Sequence, residues 1–158
     1  MKPLPEGAQR VQDALMSAGS VLIVELMPDS TSTAAEAAAA VGVTIAQIGK
    51  SIVFIQGEVP VVAVVPGDRQ VDLALLTDCV SGAGLKRPDA DRVFQTTEFR
   101  IGGVSPFGLP KGAKVVIDRS LQSHPYLYVA AGYPRAVVRV TYAELLELSH
   151  GFEADISK

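Results

Sequence analysis

The sequence predicts an α/β domain of α+β character: a mixed, largely antiparallel β-sheet of about six strands with helices around it. Three observations predict it. Two apolar runs, Ser51 to Ile55 and Val59 to Val65, flank Gly57 and read as a hairpin. A second pair, Tyr126 to Ala131 and Ala136 to Val140, flanks the turn Gly132-Tyr133-Pro134-Arg135. Between and around these runs lie segments with helical spacing of apolar residues. The hydrophobic fraction of 48% and charged fraction of 20% are those of an ordinary globule able to bury a core. At 158 residues the chain fits one domain, which commonly runs about 100–150 residues.

Taken in order, residues 6–18 read as a helix, with Ala8, Val11, Leu15 and Ala18 on one face and Gly19 as its stop. Val21 to Leu26 is apolar and β-branched, so it reads as a strand ended by Pro28-Asp29-Ser30. Thr33-Ala34-Ala35-Glu36 has capping-box spacing and opens an alanine-rich helix to Val41, closed by Gly42. Val43 to Gly49 makes at most a short helical turn and delivers the chain to Lys50. The two hairpin strands that follow are apolar throughout, which implies burial on both faces. Pro66-Gly67-Asp68-Arg69 is a turn. Val71 to Val80 is a helix broken by Gly82 and Gly84. Pro88, placed at a first helical position with Asp89 and Asp91 after it, opens a helix to Thr97.

Phe99 to Gly112 combines glycines and prolines with Phe99, Ile101, Val104, Phe107 and Leu109. A solvated linker would be polar, so this is a packed, ordered loop of the kind that carries function. Lys114 to Ile117 is a strand ending at Asp118, and Ser120 to Gln122 one helical turn. Thr141-Tyr142-Ala143-Glu144 is a second capping box, starting a helix through Ser149. The tail from His150 is expected to pack loosely.

Composition excludes several function classes. The net charge is −3, without the broad basic field of a protein that coats nucleic acid. Nucleic-acid binding is therefore either absent or confined to a small contact, such as one end of a folded RNA. The single cysteine, Cys79, allows no internal disulfide and sits among leucines on a helix face, where it reads as core. Two histidines, His124 and His150, and one cysteine make no zinc spacing. There is no P-loop, dinucleotide fingerprint or G-x-S-x-G elbow. The expected chemistry uses no metal or cofactor. No apolar run reaches the roughly 18–20 residues of a membrane span, and the first residues hold no signal-peptide core, so a cytoplasmic location is expected.

Taken singly, the remaining candidates have ordinary explanations. Lys50 alone is a strand-end lysine whose stem lies on apolar surface. The glycine loop and Gly132 alone are turns, and Thr31, Ser32 and Thr33 are helix-capping residues. In combination they are more specific. The capped helix from Thr33, the Lys50 strand, the loop Gly102-Gly103-Val104-Ser105-Pro106-Phe107-Gly108, the Asp118-Arg119-Ser120-Leu121 segment and the Ala131-Gly132 turn occur in a familiar order. From about residue 8 to residue 156 the chain resembles the YbaK/ProX family, homologous to the editing insertion domain of bacterial prolyl-tRNA synthetases. On that resemblance residues 1–158 form a single editing domain. The family's G-x-x-x-P loop stands here as Gly102 to Pro106, its functional lysine as Lys50 and its late glycine as Gly132.

The resemblance implies an aminoacyl-tRNA deacylase that removes wrongly attached amino acids where a synthetase pocket discriminates poorly between small side chains. It implies the catalytic set Lys50, Gly102, Gly103 and Ser105, and substrate contacts from Thr31, Thr33, Ser51, Val104, Pro106 and Gly132. Lys50 would anchor the phosphate or ribose of the terminal adenosine, or stabilise charge near the ester, as a compact cation can. Backbone amides of Gly102 to Ser105 would hold the aminoacyl carbonyl, and Gly132 would leave room for substrate. The partners implied are the acceptor end of misacylated tRNA and prolyl-tRNA synthetase, with no DNA and no membrane. The alanine-specific branch has asparagine after the lysine. Ser51 stands there in this chain, which keeps Cys-tRNA(Pro) or another small aminoacyl group open beside Ala-tRNA(Pro). Two other classes stay open: a non-catalytic module that binds a nucleotide or aminoacyl ligand, and a regulatory partner of a synthetase.

Overall fold

The computed structural model describes residues 3–81 and 84–158. Within them the chain forms a mixed sheet of eight strands with five α-helices. The strands are β1 (Glu25–Leu26), β2 (Ile48–Gln56), β3 (Val59–Pro66), β4 (Leu85–Lys86), β5 (Lys114–Asp118), β6 (Leu127–Ala130), β7 (Ala136–Val140) and β8 (Phe152–Ala154). The helices are α1 (Glu6–Ser17), α2 (Ala34–Val41), α3 (Leu73–Cys79), α4 (Ala90–Thr97) and α5 (Tyr142–Ser149). The sheet order is β1-β7-β6-β2-β3-β5-β8, with β4 added beside β2. Both expected hairpins, β2–β3 and β6–β7, are antiparallel. The joins β2–β6, β3–β5 and β5–β8 are parallel.

The apolar hairpin strands are buried on both sides, as their composition implies. Val53, Val62 and Val64 enter a core shared with α1, α4 and α5 on one face. Phe54, Val61, Ala63 and Val65 enter a second core under α3 and Ile156 on the other. Ala37 and Ala38 of α2 cover Ile48 on that second face. The small side chains of α2 let its backbone approach the sheet. Both capping boxes form: Thr33 with Glu36 and Thr141 with Glu144.

Four expectations need correction. Only Glu25–Leu26 of the stretch 21–26 joins the sheet, pairing with β7. Upstream, the Gln12 side chain donates to the Leu22 carbonyl (3.0 Å) and accepts from the Val24 amide (2.8 Å), taking the place of a neighbouring strand. Pro88 is not the first helical residue. Asp89 caps α4 by accepting from the Arg92 amide (2.8 Å), so the helix begins at Ala90. Two strands exceed the expected number because β4 and β8 are too short to show an alternating pattern. The tail is not loose. β8 pairs with β5, Ile156 is wholly buried, and residues 156–158 hydrogen-bond to residues 70–72. The helix-breaking role expected of Gly82 lies outside the described residues. Among the described residues no helix is long and apolar enough to cross a membrane.

Candidate functional site

The site arises from a gap in the sheet. On one side β2 pairs with β3 from Gly49 to Gln56. On the other, β6 reaches only Ile48 and Gly49, and β4 only Ile55 and Gln56. The stretch between, Lys50 to Val53, borders a cavity of about 320 Å³. α2 contributes Ala34 and Ala37 to its wall, α4 contributes Val93, and β6 and β7 contribute Tyr128, Val129, Ala130 and Val137. The Thr31-Ser32-Thr33 segment and the loop residues Ile101, Gly102 and Val104 complete it, with Arg87 and Pro88 alongside. The wall is therefore mainly aliphatic with a few polar groups, the usual composition of a small-ligand site.

Lys50 is half-buried on this wall. Its Nζ donates to the carbonyl of Arg69, at 2.8 Å, in the turn that follows β3. An ammonium has three N–H donors, so among the described residues this bond leaves two for a ligand. Beside it the Ser51 hydroxyl is buried and has no hydrogen-bond partner among the described residues. A buried hydroxyl without a partner costs stability, and one that lines a cavity is poised for a ligand group. Arg87 is exposed and stacks its guanidinium 5.4 Å from the centre of the Phe54 ring. It adds a second cation to the cavity rim.

Of the remaining candidates, Thr31, Thr33, Gly102 and Val104 also line this cavity. Thr31 is fixed by two bonds to the Pro134 carbonyl, from its amide (2.7 Å) and its hydroxyl (3.1 Å). Thr33 accepts from the Glu36 amide as the cap of α2 (3.1 Å). Gly102 has a φ of 92°, and an added Cβ would lie 3.0 Å from the Ser32 Cβ. That close approach joins the loop to the cap of α2.

Gly103, Ser105, Pro106 and Gly132 stand outside the cavity lining. The Gly103 amide donates to the Arg100 carbonyl (2.9 Å), so it is engaged within the loop. The Gly103 carbonyl accepts from the Gly132 amide (2.9 Å). The Ser105 hydroxyl is buried and accepts from the Phe107 amide (3.1 Å). Pro106 lines a separate cavity of about 210 Å³ with His150. At Gly132 the space of the missing side chain is taken by the Gly7 carbonyl, 2.2 Å from where a Cβ would stand. Ser32, Arg87 and Tyr128 are cavity residues that sequence reasoning did not nominate. Ser32 sits inside the nominated threonine segment. Arg87 is brought in by β4, too short to recognise.

Two groups with displaced pKa values, Asp118 and Cys79, lie outside this cavity. Burial opposes ionisation of Asp118, but hydrogen bonds from the Ser120 hydroxyl, the Ile156 amide and the Ser157 hydroxyl outweigh it and hold its pKa below the usual carboxylate value. Cys79 is half-buried on α3, its thiol donating to the Leu76 carbonyl (3.3 Å). Burial pushes that thiol up, which disfavours the thiolate a nucleophile needs. Among the described residues there is no group of three His, Cys, Asp or Glu able to hold a metal ion.

Comparison with known proteins gives this geometry a context. Residues 28–148 match the model of the aminoacyl-tRNA editing domain. The crystal structure of a candidate trans-editing enzyme for prolyl-tRNA synthetase superposes with a TM-score of 0.90, at 38% identity over 99% of each chain. EbsC of Enterococcus faecalis, a candidate Cys-tRNA(Pro)/Cys-tRNA(Cys) deacylase, is 26% identical over 79% of this chain and 77% of its own. The proline–tRNA ligase of Streptococcus sanguinis is 29% identical over 77% of this chain, which corresponds to 21% of the ligase.

Proposed function

The chain belongs to the aminoacyl-tRNA editing domain family, and from that premise we propose that it hydrolyses the ester bond of misacylated tRNA. The observation that carries this reading is that Lys50 lines the 320 Å³ cavity together with Gly102 and Val104 of the glycine loop. The cavity's volume of about 320 Å³ lies at the lower end of the roughly 300–1,000 Å³ of small-molecule sites, which suits a small aminoacyl group. Lys50 anchors a phosphate or ribose oxygen, or the charge that develops at the ester. Its bond to the Arg69 carbonyl uses one donor and fixes where the charge sits. Such preorganised charge stabilises a transition state because nothing need rearrange as the reaction proceeds.

The aliphatic walls from Val53, Val93, Val104, Val129 and Val137 limit water and strengthen each polar contact inside. Gly102 and Val104 also line the cavity, and their amides are the donors assigned here to the aminoacyl carbonyl oxygen. The ester is activated enough for positioning and electrostatics to drive hydrolysis, with water, the tRNA 2′-hydroxyl or the substrate's own side chain as the attacking group. The substrate proposed is a tRNA carrying a small wrong amino acid, Cys-tRNA(Pro) or another small aminoacyl-tRNA with Ala-tRNA(Pro) as a further candidate, and the buried Ser51 hydroxyl, without a partner among the described residues, is the group proposed to meet it. Prolyl-tRNA synthetase is the partner that would supply such products.

The test is a panel of misacylated tRNA(Pro) species, with release of each amino acid followed for wild type and Lys50→Ala. Loss of one charge-assisted hydrogen bond lowers kcat/KM by about ten- to a hundredfold. Binding of the aminoacyl end without turnover would favour a non-catalytic module instead.

A further inference from the structure

A chain of contacts leads from the cavity through the turn after β3 to the end of the described chain. Lys50 Nζ donates to the Arg69 carbonyl (2.8 Å). That carbonyl belongs to a turn closed on itself by the Arg69 amide on the Pro66 carbonyl (2.9 Å). The turn is held from outside by the segment 156–158. Gln70 and Lys158 exchange both backbone bonds (3.1 and 2.9 Å), and the Asp72 amide donates to the Ile156 carbonyl (2.7 Å). The Arg69 guanidinium donates to the Ser157 hydroxyl (3.3 Å), and that hydroxyl donates to Asp118 Oδ2 (2.8 Å). Asp118 is buried, and its carboxylate also accepts from the Ser120 hydroxyl and from the Ile156 amide (2.9 Å).

Each link has a physical reason. A carbonyl in a surface turn is a mobile acceptor, and a lysine tied to a mobile acceptor gains little order. The segment 156–158 removes that mobility by adding an edge to the turn, as a strand does to a sheet. Asp118 fixes the segment in turn. A buried carboxylate is retained only where its lone pairs are met, and here three donors meet them. The anchor at Asp118 lies inside the fold, while the load it carries is the position of a cation on the cavity wall.

We propose that Ser157 is a positioning residue for Lys50: held by Asp118 and holding Arg69, it fixes the carbonyl that binds the Lys50 ammonium at the edge of the cavity. The role of that ammonium in hydrolysis rests on the functional reading above; the coupling itself does not. Ser157→Ala and Arg69→Ala remove the tie from either side, and Ser157→Thr keeps the hydroxyl. The exposed Arg69 keeps the test available should the Ser157 change disturb folding.

The first readout needs no substrate. The rate at which an amine-acylating reagent modifies Lys50, read by mass spectrometry on the full chain, rises severalfold in both alanine variants, and Ser157→Thr keeps the wild-type rate. The second readout is hydrolysis of the best misacylated tRNA. Its kcat/KM falls about two- to tenfold in Ser157→Ala, the range one hydrogen bond's net contribution converts to, and recovers in Ser157→Thr. Unchanged Lys50 modification in both alanine variants overturns the coupling. Faster modification with unchanged hydrolysis overturns its place in the reaction. A wild-type chain that hydrolyses no misacylated tRNA overturns the functional reading alone, and the modification rates still decide the coupling.

Discussion

Gly132→Ala adds one methyl group where the backbone leaves no space for it. The residue has a φ of 90°, in the left-handed region, and a Cβ there would stand 2.2 Å from the Gly7 carbonyl oxygen and 2.5 Å from its carbon. The conformation alone costs an alanine about 1–2 kcal/mol. Relieving the overlap means moving the start of α1, because the obstacle is backbone and no side chain can turn aside. Overpacking of that kind costs about 1–3 kcal/mol. The sum, about 2–5 kcal/mol, is a large share of a total stability of about 5–15 kcal/mol. With a urea slope of about 2 kcal/mol/M, the unfolding midpoint falls by about 1–2.5 M. The assay is urea unfolding followed by far-ultraviolet circular dichroism, with KM measured on the folded variant in parallel. A glycine that packs two elements together loses stability and leaves KM nearly unchanged. A variant as stable as wild type with a raised KM would overturn the packing role and favour the substrate contact.

Ile156→Ala empties a wholly buried position in the core beneath α3 and lowers unfolding free energy by about 2–5 kcal/mol, read from the urea midpoint. Asp118 is held ionised below the usual carboxylate range, so its stabilising share is complete above that range and is lost as pH falls through its folded-state value. The urea midpoint of wild type therefore falls on acidification below about pH 4, and Asp118→Asn flattens that dependence. Thr33→Ala removes the cap of α2 and lowers stability by about 1 kcal/mol, measured the same way; Thr33→Ser retains it.

What could be read in the sequence was what depends on neighbours along the chain. The capping boxes at Thr33 and Thr141 need only four residues each, and the hairpin around Gly57 needs only two apolar runs and a turn. The order of the Lys50 strand and the Gly102–Pro106 loop identified the family. What could not be read depends on distant contacts. The apolar run from Val21 looked like a strand because nothing local shows that Gln12 holds its backbone. The packing of Gly132 against Gly7 left no mark in the sequence because the two lie far apart along the chain. The tail looked loose because β8 is three residues long and its anchor, Asp118, is on another strand. Lys50 itself was visible as a lysine entering a buried strand. Its partner was not, since a backbone carbonyl leaves no mark in the sequence.

The reading of the cavity as an editing site meets its sharpest trial in amino-acid release from misacylated tRNA(Pro), measured side by side for wild type and Lys50→Ala. Circular dichroism and urea midpoints should first show the two chains equally folded. Wild type should then release at least one small amino acid from the panel, while Lys50→Ala should retain a tenth or less of its kcat/KM, as loss of a charge-assisted contact requires. A wild-type chain inert on every member of the panel, or a Lys50→Ala variant as fast as wild type, would contradict it.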